Sequence, residues 1–280
     1  MSASDLVGRT IVVTGASSGI GATAAQSLAA RGATVLAMGR SPDRTAVVAA
    51  RLGTEPVVAD FTRLDDVRAA AEQLLSTCPR IDVLMLNAGG IFPRRRRTED
   101  GHETTFQVNH LAGFALTSLL MERLVESARA RPVRVVVTSS GANLWGDVRI
   151  DDLDWERRRW SSLRAYGTTK LENILFAAEL ARRTEGSGIS AYAVHPGAVA
   201  SRFGRDSGSM IGLVYRTPVR RMLVSEAEGA APLEFLASVA EVPAPSGTYF
   251  DRLSPGGRTH RQAGDVELAA ALWNQSAAWC

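Results

Sequence analysis

Short apolar runs alternate along the chain with longer segments whose apolar residues recur at helical spacing. The runs predict strands at 10–13, 34–38, 55–59, 82–86, 133–138 and 190–194. Helical patterns lie between them, one ending near Arg31-Gly32 and others covering 63–76, 104–126 and 161–182. This alternation is typical of a parallel sheet whose right-handed crossovers cover both faces. We therefore predict one α/β domain over 1–280, a Rossmann-type doubly wound parallel sheet, with a last helix at 266–273 that closes the sheet edge.

The composition fits a soluble globular protein and narrows the class of partner. Apolar residues make up 45% of the 280 residues, and the net charge of +3 is too small to indicate nucleic acid or a membrane surface. The spacing of Cys78 and Cys280 is not that of metal ligands. No uninterrupted apolar run is as long as a membrane-spanning helix, which needs about 18 residues. We expect a cytoplasmic protein that binds a small molecule but no nucleic acid, membrane or metal; a homo-oligomer is compatible with the sequence.

A glycine-rich turn joins the first predicted strand to the first predicted helix. It reads TGASSGIG from Thr14 to Gly21, with the spacing G-x-x-x-G-x-G. Glycines let the backbone approach a pyrophosphate, which then lies at the helix N-terminus. The turn therefore predicts a dinucleotide site that includes Gly15, Ser17, Ser18, Gly19, Ile20 and Gly21.

The residue after the second strand indicates which dinucleotide is preferred. Sites for NAD usually place an acidic residue there to bind the ribose 2′-hydroxyl. This chain has Arg40 instead, and a guanidinium pairs well with a 2′-phosphate. We predict NADP(H) over NAD(H); the alternative is a solvated loop arginine.

Tyr166 and Lys170 lie four residues apart in a predicted helix, so they share one face. Lys170 is the only lysine in the chain, although arginine is abundant. A phenol titrates near pH 10, and an adjacent cation lowers its pKa, which would make Tyr166 usable as an acid or base near neutrality. The alternative is an ordinary surface pair.

Other polar residues follow the predicted strands where ligands bind in such sheets, at the carboxyl ends. They are Asp60, the run 87–90, Ser139-Ser140 and the turn 195–197.

Together these motifs resemble the short-chain dehydrogenase/reductase family from Thr10 to about Ser201. The resemblance rests on TGASSGIG, Asp60, the NAG sequence at 87–89, Ser140 with Tyr166 and Lys170, and the HPG sequence at 195–197. It implies that Tyr166 is the general acid/base, that Ser140 polarises the substrate oxygen, and that Lys170 binds the nicotinamide ribose. It also implies that Asn109 anchors a water in the proton relay. Further cofactor contacts are implied for Asp60, Phe61, Asn87, Ala88, Gly89, Pro196, Val199 and Ser201, the last standing where the family usually has Thr.

Details of the motifs point to one branch of this family. Of the two serines at 139 and 140, the resemblance selects the second. The long interval from Ser140 to Tyr166 and the sequence 171–176 are similar to the retinol-dehydrogenase and protochlorophyllide-reductase-like branch. That branch commonly prefers NADP. No N-terminal anchor of the kind found in its vertebrate members is expected here, so the resemblance does not imply retinoids.

Two variable segments, 141–164 and 202–225, are expected to determine the substrate. Their aromatic residues would line a pocket for a bulky, mainly apolar carbonyl compound, or would pack beneath loops; they are Trp145, Trp155, Trp160, Phe203 and Tyr215. Met210 and Leu213 would join them, and three glycines at 204, 208 and 212 would let the second segment act as a lid. We interpret the arginine runs 94–97 and 157–159 as solvated loop charges, the alternative being a site for an anionic substrate.

The resulting prediction is an NADP-dependent ketoreductase or alcohol dehydrogenase of secondary metabolism or detoxification. Two other classes remain open: a dinucleotide-binding sensor or scaffold without chemistry, and an epimerase or isomerase that uses the cofactor transiently. The intact Ser140, Tyr166 and Lys170 argue against the sensor, which would need no titrating phenol.

Overall fold

The computed structural model describes residues 5–199 and 224–280. In this part of the chain, eight strands form one sheet in the order β3-β2-β1-β4-β5-β6-β7-β8. The strands are β1 Thr10–Thr14, β2 Thr34–Gly39, β3 Val57–Val58, β4 Val83–Leu86, β5 Val133–Thr138, β6 Ile189–His195, β7 Tyr249–Asp251 and β8 Ser254–Pro255. All neighbours are parallel except β7 and β8. The predicted doubly wound sheet is therefore confirmed, with an antiparallel strand added at one edge.

Helices cover both faces of this sheet. They are α1 Gly19–Ala30, α2 Pro42–Leu52, α3 Leu64–Thr77, α4 Thr104–Phe106, α5 Ala112–Ala128, α6 Ser162–Arg183, α7 Glu226–Ser238 and α8 Val266–Ala278. A π-helical turn, Gln107–Leu111, joins α4 to α5. The predicted long helix over 104–126 is thus interrupted by a wider turn, and π-turns of this kind are frequent at functional sites.

Two apolar cores form because successive residues of a strand point to opposite faces. Val12 of β1 belongs to the core beneath α3, α5 and α6, whereas Ile11 and Val13 belong to the core beneath α1 and α7. The central strands β1 and β4 are buried along almost their whole length. This burial on both faces explains why their sequences read as continuous apolar runs.

The last helix, α8, does not close the sheet edge as predicted. It packs mainly on α6, and its Trp273 ring stacks on Phe176 with centroids 5.8 Å apart. The edge beyond β6 is formed instead by β7 and β8. Packing on α6 is favoured because the large aromatic ring of Trp273 on α8 thereby removes much apolar area from water.

None of the helices within residues 5–199 and 224–280 is both long enough and apolar enough to cross a membrane.

Candidate active site

The glycine-rich turn packs tightly against the end of β4. Gly15 has φ 69°, in the left-handed region that favours glycine. A Cβ on Gly15 would stand 2.9 Å from the Ala88 Cα, and one on Gly21 would stand 2.5 Å from the Asn87 amide nitrogen. Ser18 precedes α1 but makes no side-chain hydrogen bond to its first turn. The amide groups at this N-terminus, around Gly19 and Ile20, are therefore available to an anionic ligand.

Asn87 forms hydrogen bonds that connect the ends of β1, β4 and β5. Its backbone N–H donates to the Thr14 hydroxyl at 2.9 Å, and its amide nitrogen donates to the Thr14 carbonyl at 3.1 Å. The Thr138 hydroxyl donates to its amide oxygen at 3.4 Å, and the Ala88 N–H also donates to the Thr14 hydroxyl. The Asn87 side chain is thus committed to β1 and β5, so a cofactor contact at 87–89 falls to Ala88, Gly89 and the Asn87 backbone.

Arg40 follows β2 and Asp60 follows β3, so both lie at the same edge of the sheet as the glycine turn. Arg40 is exposed and lies next to Ser41, the N-cap of α2. One Asp60 oxygen accepts two hydrogen bonds from Thr62, both at 2.9 Å. Phe61 is 7% exposed and belongs to the core, and its carbonyl accepts from the Gln107 amide at 3.3 Å.

The two serines after β5 have different environments. Ser139 is buried, and its hydroxyl donates to the Lys170 carbonyl at 2.7 Å. Ser140 is half-buried and begins the 3-10 turn Gly141–Trp145, where its hydroxyl accepts from the Ala142 N–H at 3.2 Å. Ser139 is therefore a structural link, and the Ser140 hydroxyl keeps its proton for another acceptor.

Lys170 is buried beside Tyr166 on the same helix. Its side chain is 2% exposed, and its Nζ lies 5.4 Å from the centre of the Tyr166 ring. The Nζ donates to the Thr138 carbonyl at 3.1 Å. Burial lowers the pKa of the Lys170 ammonium to about 8. The structure thus brings the predicted pair together with a cation whose charge is only partly compensated.

Backbone contact between α6 and the 3-10 turn sets the distance from Ser140 to Tyr166. A Cβ on Gly167 would stand 2.5 Å from the Ala142 carbonyl oxygen, and one on Gly146 would stand 2.7 Å from the Gly167 carbonyl oxygen. Only glycine at both positions permits this approach. The Asp147 N–H adds a hydrogen bond to Thr168 at 3.1 Å.

Asn109 lies in the π-helical turn and forms hydrogen bonds with the loop after β4. Its amide oxygen accepts from the Gly90 N–H at 2.6 Å, and its amide nitrogen donates to the Gly90 carbonyl at 2.9 Å. The same nitrogen lies 3.1 Å from the Thr169 hydroxyl. The side chain therefore shapes this loop, so any bond to a relay water falls to the Asn109 main-chain carbonyl.

Sequence reasoning missed Asn143, which holds the Ser140 turn. Its amide donates to the Ser140 carbonyl at 2.8 Å and to the Tyr249 hydroxyl at 3.4 Å, and its oxygen accepts from the His260 N–H at 3.0 Å. Burial raises the pKa of the Tyr249 phenol. No sequence motif reveals this role, since two of the three partners, Tyr249 and His260, lie more than 100 residues away.

The segment 141–164 places its tryptophans differently. Trp145 is 63% exposed beside the Ser140 turn, where a substrate could meet it. Trp155 is 3% exposed and lies under the Arg158 guanidinium, 3.6 Å from its ring centre, which is a packing role. Trp160 is half-buried in the same segment. The expectation that all three line a pocket therefore does not hold for Trp155.

The arginine runs are only partly solvated. Within 157–159, the Arg158 side chain is 8% exposed and pairs with Asp152 at 3.5 Å, whereas Arg157 pairs with Asp151 at the surface. In the other run, Arg95 donates to the Asp154 carbonyl at 2.9 Å, and Arg97 forms an ion pair with Glu156. Arg158 was thus wrongly predicted as a solvated charge, because its guanidinium organises the segment.

The turn after β6 lies close to the Ser140 turn. A Cβ on Gly141 would stand 3.4 Å from the His195 Nε2, and burial lowers the pKa of the His195 imidazole. Pro196 is buried, and Val199 forms a parallel bridge with Val224. The remaining predicted residues lie outside the described part of the chain; they are Ser201, Phe203, Met210, Leu213, Tyr215 and the glycines at 204, 208 and 212.

The described arrangement suits proton transfer to an oxygen bound between a hydroxyl and a phenol. The Tyr166 phenol, the buried Lys170 ammonium and the Ser140 hydroxyl lie at the carboxyl ends of β5 and β6, near the uncapped N-terminus of α1. Within residues 5–199 and 224–280, no cluster of His, Cys, Asp and Glu could hold a metal ion.

The chain is similar to a known protein family and to individual proteins within it. The family model described as short chain dehydrogenase matches residues 9–211. A Streptomyces protein described as "Putative daunorubicin C-13 ketoreductase DnrU" is 43% identical over 98% of this chain and 93% of its own. Human retinol dehydrogenase 13 is 36% identical over 96% of this chain and 84% of its own.

Two solved structures are also similar. A protein from Mycobacterium paratuberculosis has a TM-score of 0.77 and 34% identity, covering 98% of this chain and 93% of its own. The RhlG/NADP active-site complex from Pseudomonas aeruginosa has a TM-score of 0.71 and 25% identity, covering 90% and 97%.

Proposed function

The chain belongs to the short-chain dehydrogenase family of oxidoreductases, and from that premise we propose that it is an NADP(H)-dependent ketoreductase or alcohol dehydrogenase. It transfers a hydride between the nicotinamide and a carbonyl or alcohol carbon of a bulky, mainly apolar small molecule. The observation that carries this proposal is the buried Lys170 ammonium beneath the Tyr166 ring, with Ser140 on the adjoining strand end. A buried cation costs stability, which a purely structural site would avoid.

The residues present fit a nicotinamide dinucleotide. The N-terminus of α1 can bind the pyrophosphate. Among residues 5–199 and 224–280 the Lys170 Nζ has one acceptor, Thr138, which leaves two N–H groups for ribose hydroxyls. A side chain at Gly89 would stand 2.9 Å from the Asn109 amide oxygen and 3.4 Å from the Lys170 Nζ, so glycine keeps this space open. When bound, the cofactor supplies the hydride from its nicotinamide C4.

Arg40 supports NADP(H) over NAD(H). Its exposed guanidinium stands at the end of β2, where a 2′-phosphate would lie, and no carboxylate of the described residues forms an ion pair with it. Asp60 keeps one carboxylate oxygen free of Thr62, which suits an adenine amino group. The similar RhlG structure is an NADP complex, which agrees with this preference.

Tyr166 would act as the proton donor in the reducing direction. Its phenol protonates the carbonyl oxygen as negative charge develops there, and the Ser140 hydroxyl donates a second hydrogen bond to that oxygen. The nearby Lys170 charge favours the phenolate that remains. In the oxidising direction the same phenolate removes the alcohol proton.

The rim of the site supports a bulky substrate. Leu144, Trp145 and Leu163 are 38%, 63% and 43% exposed, and Trp145 follows the Ser140 turn directly. Large exposed apolar side chains beside a reaction centre are suited to an extended aromatic or polycyclic ketone. The similar Streptomyces protein is described as a daunorubicin C-13 ketoreductase, which supports a ketone substrate and a role in secondary metabolism.

Oxidation of NADPH against a panel of aromatic ketones, quinones, polyketide-like ketones and retinal-like aldehydes tests this function. We expect turnover with at least one bulky ketone, and a loss of about 10³-fold or more in kcat in Tyr166→Phe with nearly unchanged NADPH affinity. Tyr192→Phe is the matched control, since Tyr192 is buried at 5% exposure on β6. Binding of NADPH without turnover would favour a sensor, and turnover without net NADPH consumption an epimerase.

A further inference from the structure

Asn173 lies on α6 one turn beyond Lys170 and is 4% exposed. Its amide nitrogen donates to two main-chain carbonyls, those of Asn109 at 3.1 Å and Thr138 at 3.0 Å. The Lys170 Nζ donates to that same Thr138 oxygen at 3.1 Å. Asn173 and Lys170 therefore share an acceptor, and Asn173 also joins it to the π-helical turn.

A second pair of side chains fixes which way the Asn173 amide is turned. Both amide hydrogens are used by carbonyls, so the amide oxygen must accept. The His110 Nδ1 lies 3.3 Å from that oxygen, and the His110 Nε2 lies 3.2 Å from the Ser276 hydroxyl on α8. Burial lowers the pKa of His110 to about 4, so the ring is neutral. A neutral ring protonated at Nδ1 donates to Asn173 and accepts from Ser276.

We propose that Asn173 is a positioning residue, which holds the Asn109 and Thr138 carbonyls together and thereby aims the Lys170 ammonium at Tyr166. This inference rests on the proposed function, which assigns the proton transfer to the Tyr166–Lys170 pair. A carbonyl oxygen has two lone pairs. Since Asn173 takes one of those on Thr138, the Lys170 Nζ bonds to the other, and this shared acceptor fixes where the ammonium lies.

The groups around Lys170 make its titration a direct readout of this contact. On its own helix the Tyr166 ring faces the ammonium, on β5 the Thr138 carbonyl, and after β4 the backbone of Gly89. His110, on the π-helical turn, stands behind Asn173 and is neutral. Burial alone lowers the Lys170 pKa, and among the described residues no carboxylate forms an ion pair with the ammonium. Removing the Asn173 N–H groups, whose positive ends lie beside the ammonium, should therefore raise its pKa.

The single lysine makes the experiment specific. In the protein labelled with ¹³Cε-lysine and carrying no lysine in its tag, one side-chain NMR signal reports Lys170. We would titrate wild type, Asn173→Leu and Asn173→Asp. Leu fills the same space without a donor, and Asp keeps the shape while offering one donor at most. Ser276→Ala is the matched control, because it removes the far end of the same buried chain and leaves both carbonyl contacts intact.

The expected result is a Lys170 midpoint about half a pH unit or more higher in the Asn173 variants and unchanged in Ser276→Ala. In the pH profile of kcat, the limb belonging to the Tyr166–Lys170 pair should move upward in the same variants. Should a folded Asn173 variant titrate as wild type, or should Ser276→Ala shift as much, the inference is overturned. The NMR titration needs no substrate, so a failure of the proposed function would show separately, as wild-type protein that turns over no ketone.

Discussion

Gly146 and Gly167 lie backbone against backbone, with the Gly167 carbonyl oxygen 2.7 Å from where a Cβ on Gly146 would be. This contact presses the turn after Ser140 onto the helix that carries Tyr166. The two groups that would hold a substrate oxygen are thus placed by a contact in which neither takes part.

Gly167→Ala should therefore impair catalysis more than folding. Alanine is the better helix former by about 1 kcal/mol, but its methyl group would stand 2.5 Å from the Ala142 carbonyl and push the Ser140 turn away. We expect kcat/KM for ketone reduction to fall about 10–100-fold, because displacement of a positioned group of this order has that effect. Gly113→Ala is the control, since its methyl group would make only ordinary contacts, the nearest at 3.6 Å from Leu86. Equal kinetics in the two variants would contradict this reading of the contact.

Arg40→Ala should change cofactor preference without changing the reaction. Loss of a guanidinium that pairs with a 2′-phosphate should raise KM for NADPH about 10–100-fold, while KM for NADH stays nearly constant. Steady-state kinetics with both cofactors measure this directly. Arg51→Ala removes an exposed charge from the other end of α2 and serves as the control. An unchanged NADPH/NADH ratio in Arg40→Ala would show that Arg40 is a solvated loop residue.

Glu172 should make the fold less stable as pH rises. Its carboxyl is 1% exposed, and its Oε2 lacks a hydrogen-bond partner among the described residues. Burial raises its pKa from 4.5 to about 8, an effect that the Arg158 charge opposes. Between these values the folded state holds a proton that the unfolded state has released, so stability falls as pH rises through that window and levels off above the folded pKa.

Glu172→Gln should flatten that dependence, since an amide does not titrate. We expect the free energy of unfolding to fall by about 1–3 kcal/mol less than in wild type between pH 5 and pH 8, measured by urea denaturation at several pH values. Glu122→Gln changes an exposed carboxylate on α5 and should leave the wild-type curve unaltered. Parallel curves for wild type and Glu172→Gln would mean that this carboxyl is ionised in the fold.

Much of the frame could be read from the sequence because burial on two faces leaves a strong apolar signal. The predicted strand at 133–138 matches β5, and the predicted helix over 161–182 differs from α6, Ser162–Arg183, by one residue at each end. The choice of Ser140 over Ser139 stays a prediction, and the structure shows that the Ser139 hydroxyl donates to the Lys170 carbonyl.

Two kinds of feature were not predicted from the sequence. The helix α2, Pro42–Leu52, was missed although its serine cap and the proline in its first turn are local signals of a helix. By contrast, the roles of Asn143 and Asn173 come from partners on other elements, such as the N–H of His260, 117 positions away from Asn143. Arg158 is charged and follows another arginine, and only the fold shows that Trp155 and Asp152 enclose it.

The hydroxyl of Ser139 ties the end of β5 to the backbone of Lys170, and the side chains of Lys170 and Asn173 both return to Thr138. These hydrogen bonds hold the end of β5 and the helix α6 together. Exposed rim residues such as Leu144 and Trp145 could therefore be replaced to alter the substrate, while the residues proposed for proton transfer keep their positions.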